Sequence, residues 1–130
     1  MKRMTKKQSA VQARINTAFA KMVQSGQRCL CGRNNAITPA HIIPKGQHPE
    51  LADKEDNIIP LCLTCHRRFD QDSWEFKKLV PKWENLYLLT YQLSRKYNVN
   101  YFDRIAIKLP DFIKIELSNY FEYNNIEWVW

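Results

Sequence analysis

The first 49 residues contain no aspartate and no glutamate. Lys2, Arg3, Lys6, Lys7, Arg14, Lys21, Arg28, Arg33 and Lys45 all fall in that stretch, while the remaining 81 residues carry eleven basic and thirteen acidic side chains. The net charge of +7 is therefore +9 in the first part against −2 in the rest. A cationic end with no compensating acid points to a polyanionic partner, because each phosphate neutralised releases counterions. Long apolar runs are absent too. None approaches the roughly 20 residues that a bilayer span requires. The basic start, Met1 to Lys7, is followed by no apolar stretch of the kind a secretory signal carries. The expectation is a cytoplasmic protein without membrane contact, whose cysteines stay reduced and bind metal rather than pair as disulfides. There is no internal repeat and no low-complexity segment, and 130 residues fit one compact domain.

What is present divides the chain into four parts. Residues 1–8 read as a flexible basic arm. Residues 9–26 read as an N-terminal helix, with Val11, Ile15, Ala18, Phe19 and Met22 at three- and four-residue steps and Gly26 as the stop. Residues 27–72 are rich in turns and hold every cysteine. Here the pattern predicts a short strand over 37–43 with Pro39 at an edge, a polar loop, a second strand over 57–61 and a helix from Cys62 to Phe69. Residues 73–130 read as a helical extension, with helices over 82–97 and 111–123 that start beside Pro81 and Pro110. Tyr120, Phe121, Tyr123, Trp128 and Trp130 give that extension an aromatic end, fit either for core filling or for contact in a homo- or hetero-oligomer. The fold class expected is α+β.

The cysteines come as Cys29-Leu30-Cys31-Gly32 and Cys62-Leu63-Thr64-Cys65. Two short cysteine turns are a common way to supply a tetrahedral zinc site, and the two-residue gap of the second is the usual one. The one-residue gap of the first is less common. A site that uses His41 or His66 in place of one cysteine is the alternative.

Taken in order, Cys29-x-Cys31, Ala40-His41-Ile42-Ile43-Pro44, Asn57-Ile58-Ile59-Pro60-Leu61-Cys62-x-x-Cys65-His66 and Phe69-Asp70 resemble the HNH endonucleases, the ββα-metal nucleases, in their zinc-binding four-cysteine variety. The resemblance runs from Cys29 to Asp70, about a third of the chain, and the flanking helices have no part in it. It implies a small ββα-metal core with a structural Zn²⁺ on Cys29, Cys31, Cys62 and Cys65, flanked by helices on either side. It implies that His41 is the general base, that Asn57 binds the catalytic metal or braces the base, and that His66 holds a catalytic Mg²⁺ or another divalent ion. The activity implied is hydrolysis of DNA phosphodiester bonds. The chemistry suits those residue types, since a neutral imidazole takes a proton from water near neutral pH and a divalent ion relieves the charge that builds on phosphate.

One position departs from the pattern. Many members of the family carry a metal-binding acid or histidine just before the base, where this chain has Ala40. Asp56, Asp70, His48 or water is left to fill the gap. Asp70 is favoured, because it lies one helical turn beyond His66. Arg28, Arg33, Lys45, Arg67 and Arg68 are the candidate nucleic-acid contacts. Ala40 also motivates the alternative, a catalytically inactive zinc-stapled DNA-binding or assembly module. A protein-interaction adaptor built on the aromatic helices is a third reading. The small size and basic start are similar to nucleases of phages and mobile elements.

Overall fold

The computed structural model describes residues 4–32, 36–71 and 73–128. Among the described residues, six α-helices and one two-stranded antiparallel sheet make an α+β fold in the order α1 (Lys6–Gln24), β1 (Thr38–His41), β2 (Ile58–Leu61), α2 (Leu63–Asp70), α3 (Trp74–Lys77), α4 (Trp83–Lys96), α5 (Tyr101–Ile107) and α6 (Asp111–Tyr123). None of these helices is long and apolar enough to cross a membrane.

α1 begins at Lys6 rather than near Ser9, so the segment expected as an arm is helical from its sixth residue. The reason is a capping box: Thr5 Oγ1 accepts from the Gln8 N–H, and Gln8 Oε1 accepts from the Thr5 N–H. Residues 1–3 of that arm lie outside the described residues. The helix ends at Ser25, and Gly26 follows with φ +72°, a left-handed conformation that glycine takes without strain. Ile15 and Ala18 bury against Ala52 and Ile58, which fixes α1 on the hairpin.

The hairpin pairs Thr38 with Leu61, Pro39 with Pro60, Ala40 with Ile59 and His41 with Ile58. The two prolines face each other, so the donors they lack fall on a single rung. One face of the hairpin closes over α2. Ala40, Leu61, Cys62, Cys65, Phe69, Val80 and Leu86 form one buried cluster there. The 42–57 connection packs Ile42, Ile43 and Leu51 against Leu93 and Tyr101, which ties the hairpin loop to α4 and α5.

The extension has its own core of Trp83, Tyr87, Phe102, Ile113, Leu117 and Phe121. α4 and α6 lie where the apolar periodicity predicts them, and Asn98 stops α4 with φ +54° while the Val99 N–H returns to the Ser94 carbonyl. The short helices α3 and α5 were not anticipated. Most of the C-terminal aromatics serve the core. Phe121 is buried, Tyr120 and Trp128 pack against the cluster, and Trp128 meets Phe102 edge-on at 4.9 Å. Tyr123 is exposed, and Trp130 lies outside the described residues.

Candidate metal centre and cleft

The four cysteines converge. Cys29 and Cys31 sit on the turn between α1 and β1, which Gly32 completes with φ +69° and an N–H to the Cys29 carbonyl. Cys62 is the N-cap of α2 and Cys65 lies in its first turn. Their sulfurs all lie within 4.8 Å of one another, and the Cys31–Cys62 pair is 3.9 Å apart. A tetrahedral zinc with bonds of about 2.3 Å needs sulfurs separated by about 3.8 Å, so the cluster fits such an ion. Burial pushes the Cys29 and Cys65 thiols above their ordinary values. Four clustered sulfurs, three of them on buried residues, cannot hold several negative charges without a cation among them. The four thiols are therefore positioned to bind a metal ion, and the arrangement is compatible with a structural zinc.

His41 ends β1, and its Nε2 lies 2.8 Å from the carbonyl oxygen of Ala52. A carbonyl only accepts, so the proton of a neutral ring sits on Nε2 and the lone pair on Nδ1. Ala52 is wholly buried, and its N–H is bonded to the Pro49 carbonyl. The acceptor that orients the ring is thus built into the hairpin loop.

Asn57 holds that loop. Its Oδ1 accepts from the Ile43 N–H at 2.7 Å, and its Nδ2 donates to the Ile43 carbonyl at 3.0 Å and to the Leu51 carbonyl at 3.1 Å. The side chain is 1% exposed and does not line the cleft described below. Of the two roles implied for Asn57, this geometry provides for bracing the segment that carries the His41 acceptor.

His66 lies on α2 between two oxygens. Thr38 Oγ1 lies 2.7 Å from both the Leu61 carbonyl and His66 Nδ1. The single hydroxyl proton goes to the carbonyl, which cannot donate, so Oγ1 accepts from Nδ1–H. The bare Nε2 then faces Asp70 Oδ2 at 3.1 Å, acceptor against acceptor. Such a pair needs a shared positive charge, a proton or a metal ion. Neighbouring ligands of an octahedral ion at about 2.1 Å stand about 3.0 Å apart, so the spacing fits a divalent cation as well as a proton. Of the other residues considered for the vacancy at Ala40, Asp56 is engaged by Lys96 and Tyr97, and His48 by Glu50. Ala40 is itself fully buried.

His41, His66 and Asp70 line one cleft of about 590 Å³. Among the described residues its cationic lining is Lys45, Lys77, Arg104 and Lys108, and Asp70 is the only carboxylate. Of the candidate nucleic-acid contacts among the described residues, Lys45 alone is in the cleft. Arg28 and Arg67 are exposed elsewhere, Arg68 reaches the Leu79 carbonyl, and Arg33 lies outside the described residues. Lys77, Arg104 and Lys108 were missed because they come from the extension. A signal was there: Tyr101, Arg104, Ile105 and Lys108 are spaced 0, 3, 4 and 7 along one helical face, and all four line the cleft.

A hairpin and helix stapled by four thiols, with two histidines facing a basic cleft, define a metal-binding ββα unit. Among models of known protein families, one described as HNH endonuclease matches residues 27–70. The match covers about a third of the chain, and the four cysteines within it are consistent with the zinc-binding variety of that family. No curated protein and no solved structure matches the chain.

Proposed function

We propose that this protein is a metal-dependent endonuclease that hydrolyses phosphodiester bonds in DNA. His41 accepts the proton of the attacking water at Nδ1, and the bond from Nε2–H to the Ala52 carbonyl holds the ring for that task. His66 Nε2 and Asp70 would hold a divalent ion, Mg²⁺ or another, and Zn²⁺ would occupy the four thiols. When bound there, such an ion would supply charge relief to the phosphate and to the departing 3′ oxygen. Lys45, Lys77, Arg104 and Lys108 grip phosphates of the backbone without reading bases. The observation that carries this reading is the Thr38–His66–Asp70 line, which leaves two acceptors facing each other on the wall of a cleft shared with a second, independently oriented histidine.

A second reading is motivated by Ala40, a buried methyl where many family members place a ligand. On that reading the chain is a zinc-stapled DNA-binding module without chemistry. One screen separates them. Supercoiled plasmid is incubated with zinc-loaded protein and Mg²⁺, Mn²⁺ or Ni²⁺ in turn. The nuclease reading expects nicking with at least one ion, and Asp70→Asn to raise the ion concentration for half-maximal rate about tenfold or more. Binding without cleavage under every ion would establish the second reading instead.

A further inference from the structure

The basic cleft does not end at its cations. Past Lys77 and Lys108 it opens into a recess of about 170 Å³ that is also lined by Ser73, Trp74, Tyr87 and Tyr101. Lys77, Tyr101 and Lys108 line both spaces, so two cations and an aromatic ring stand at the junction. The rings of the recess are set in place by their neighbours. Trp74 meets Phe112 at 5.1 Å and 82°, and Tyr87 meets Trp83 at 5.9 Å and 88°. Tyr87 is more than nine-tenths buried.

Resting on the nuclease reading above, we propose that this recess takes one unpaired nucleobase, and that the preferred substrate is DNA with an unstacked nucleotide next to the phosphate in the cleft. A phosphate belongs with the cations at the junction and gains nothing among aromatic side chains. A flat, polar-edged base suits the recess, stacking on its rings while its edge meets the Tyr87 hydroxyl. The volume suits a single ring system and is too small for a base pair. Stacking on protein rings and extraction from a duplex are of similar size and roughly cancel on intact DNA. Where a bulge or gap has already freed the base, only the gain is left.

The test uses the full chain with two otherwise identical duplexes, one intact and one with a single-nucleotide bulge whose unpaired base is 2-aminopurine. Binding is read by 2-aminopurine fluorescence with the His41→Ala protein, and cleavage with the unaltered protein. The proposal expects quenching on binding and about tenfold or faster cleavage of the bulged duplex. Trp74→Ala is expected to reduce that preference to under about twofold while leaving cleavage of the intact duplex unchanged. Equal cleavage of both duplexes with no quenching overturns the recess and leaves the nuclease reading standing. Failure to cut either duplex refutes the nuclease reading, and the fluorescence then decides the recess alone, quenching in its favour and constant emission against it. If Trp74→Ala does not fold, quenching and bulge preference in the unaltered side chains decide the matter.

Discussion

Replacing Asn57 by alanine isolates the brace on which the geometry of His41 depends. The substitution removes one acceptor and two donors and leaves the Ile43 N–H and the carbonyls of Ile43 and Leu51 without those partners in a buried loop. Each lost bond is worth about 1 kcal/mol net, more where the remaining group stays dry, so the expected loss is about 3–4 kcal/mol. For a chain of this length that corresponds to a fall in Tm of about 10–15 °C. Leu51 adjoins Ala52, whose carbonyl orients the His41 ring, so cleavage should slow even at temperatures where the variant is fully folded. The divalent ion requirement should not change, because Asn57 does not line the cleft. Asn57→Asp should be nearly as damaging, since its second carboxylate oxygen would face two carbonyls. The assay is thermal unfolding by circular dichroism with cleavage rates measured over an ion titration. A variant that melts within about 2 °C of the parent, far less than three buried hydrogen bonds are worth, or one with a shifted ion requirement, refutes the brace and returns Asn57 to the metal.

Removing the thiol-bound metal should unfold the hairpin and α2, since binding to such a site contributes on the order of 10 kcal/mol to folding; elemental analysis should give one zinc per chain, and a chelator-stripped protein that keeps its Tm would contradict this. Arg104→Ala with Lys108→Ala should weaken binding of all DNA sequences alike and lower the log–log salt slope by roughly 2, whereas Arg28→Ala with Arg67→Ala should leave the slope nearly unchanged. The hydrogen bond from Arg14 holds the Asp53 carboxyl below its ordinary value of 3.8, so the stability it contributes is full above that value and disappears as pH falls through the lower folded one. The Tm difference between the parent and Asp53→Asn should therefore be constant from neutral pH to about 5 and shrink in acid below about 4; a difference that grows on acidification would refute it.

The four-thiol frame, the hairpin, α2 and the His66–Asp70 pair could be read from the chain because their determinants are local. Cysteine gaps of one and two residues, a histidine at the end of a strand and a carboxylate one helical turn beyond another histidine are all short-range patterns. The far wall of the cleft was not legible in the same way. Arg104 and Lys108 share a cleft with His41 only because Tyr101 packs with Ile43, Leu51 and Leu93, a contact between segments about 50 residues apart. Arg28 and Arg67 lie beside the cysteines in sequence, yet neither lines the cleft that Lys45 lines. The start of α1 was missed because its signal is polar, the Thr5–Gln8 box, and lies ahead of the apolar stripe. The aromatic end suggested a docking surface, but residues 73–128 need Phe121 and Trp128 to complete their own core.

The proposed mechanism needs His41 as the base beside a cation held by His66 and Asp70. The most direct measurement is the single-turnover cleavage rate of the parent and of His41→Ala at saturating divalent ion, on preparations of equal zinc content and equal Tm. A loss of about 10²–10⁴-fold is expected, the usual range for removal of a general base. A rate for His41→Ala within about threefold of the parent, far outside that range, would contradict the account.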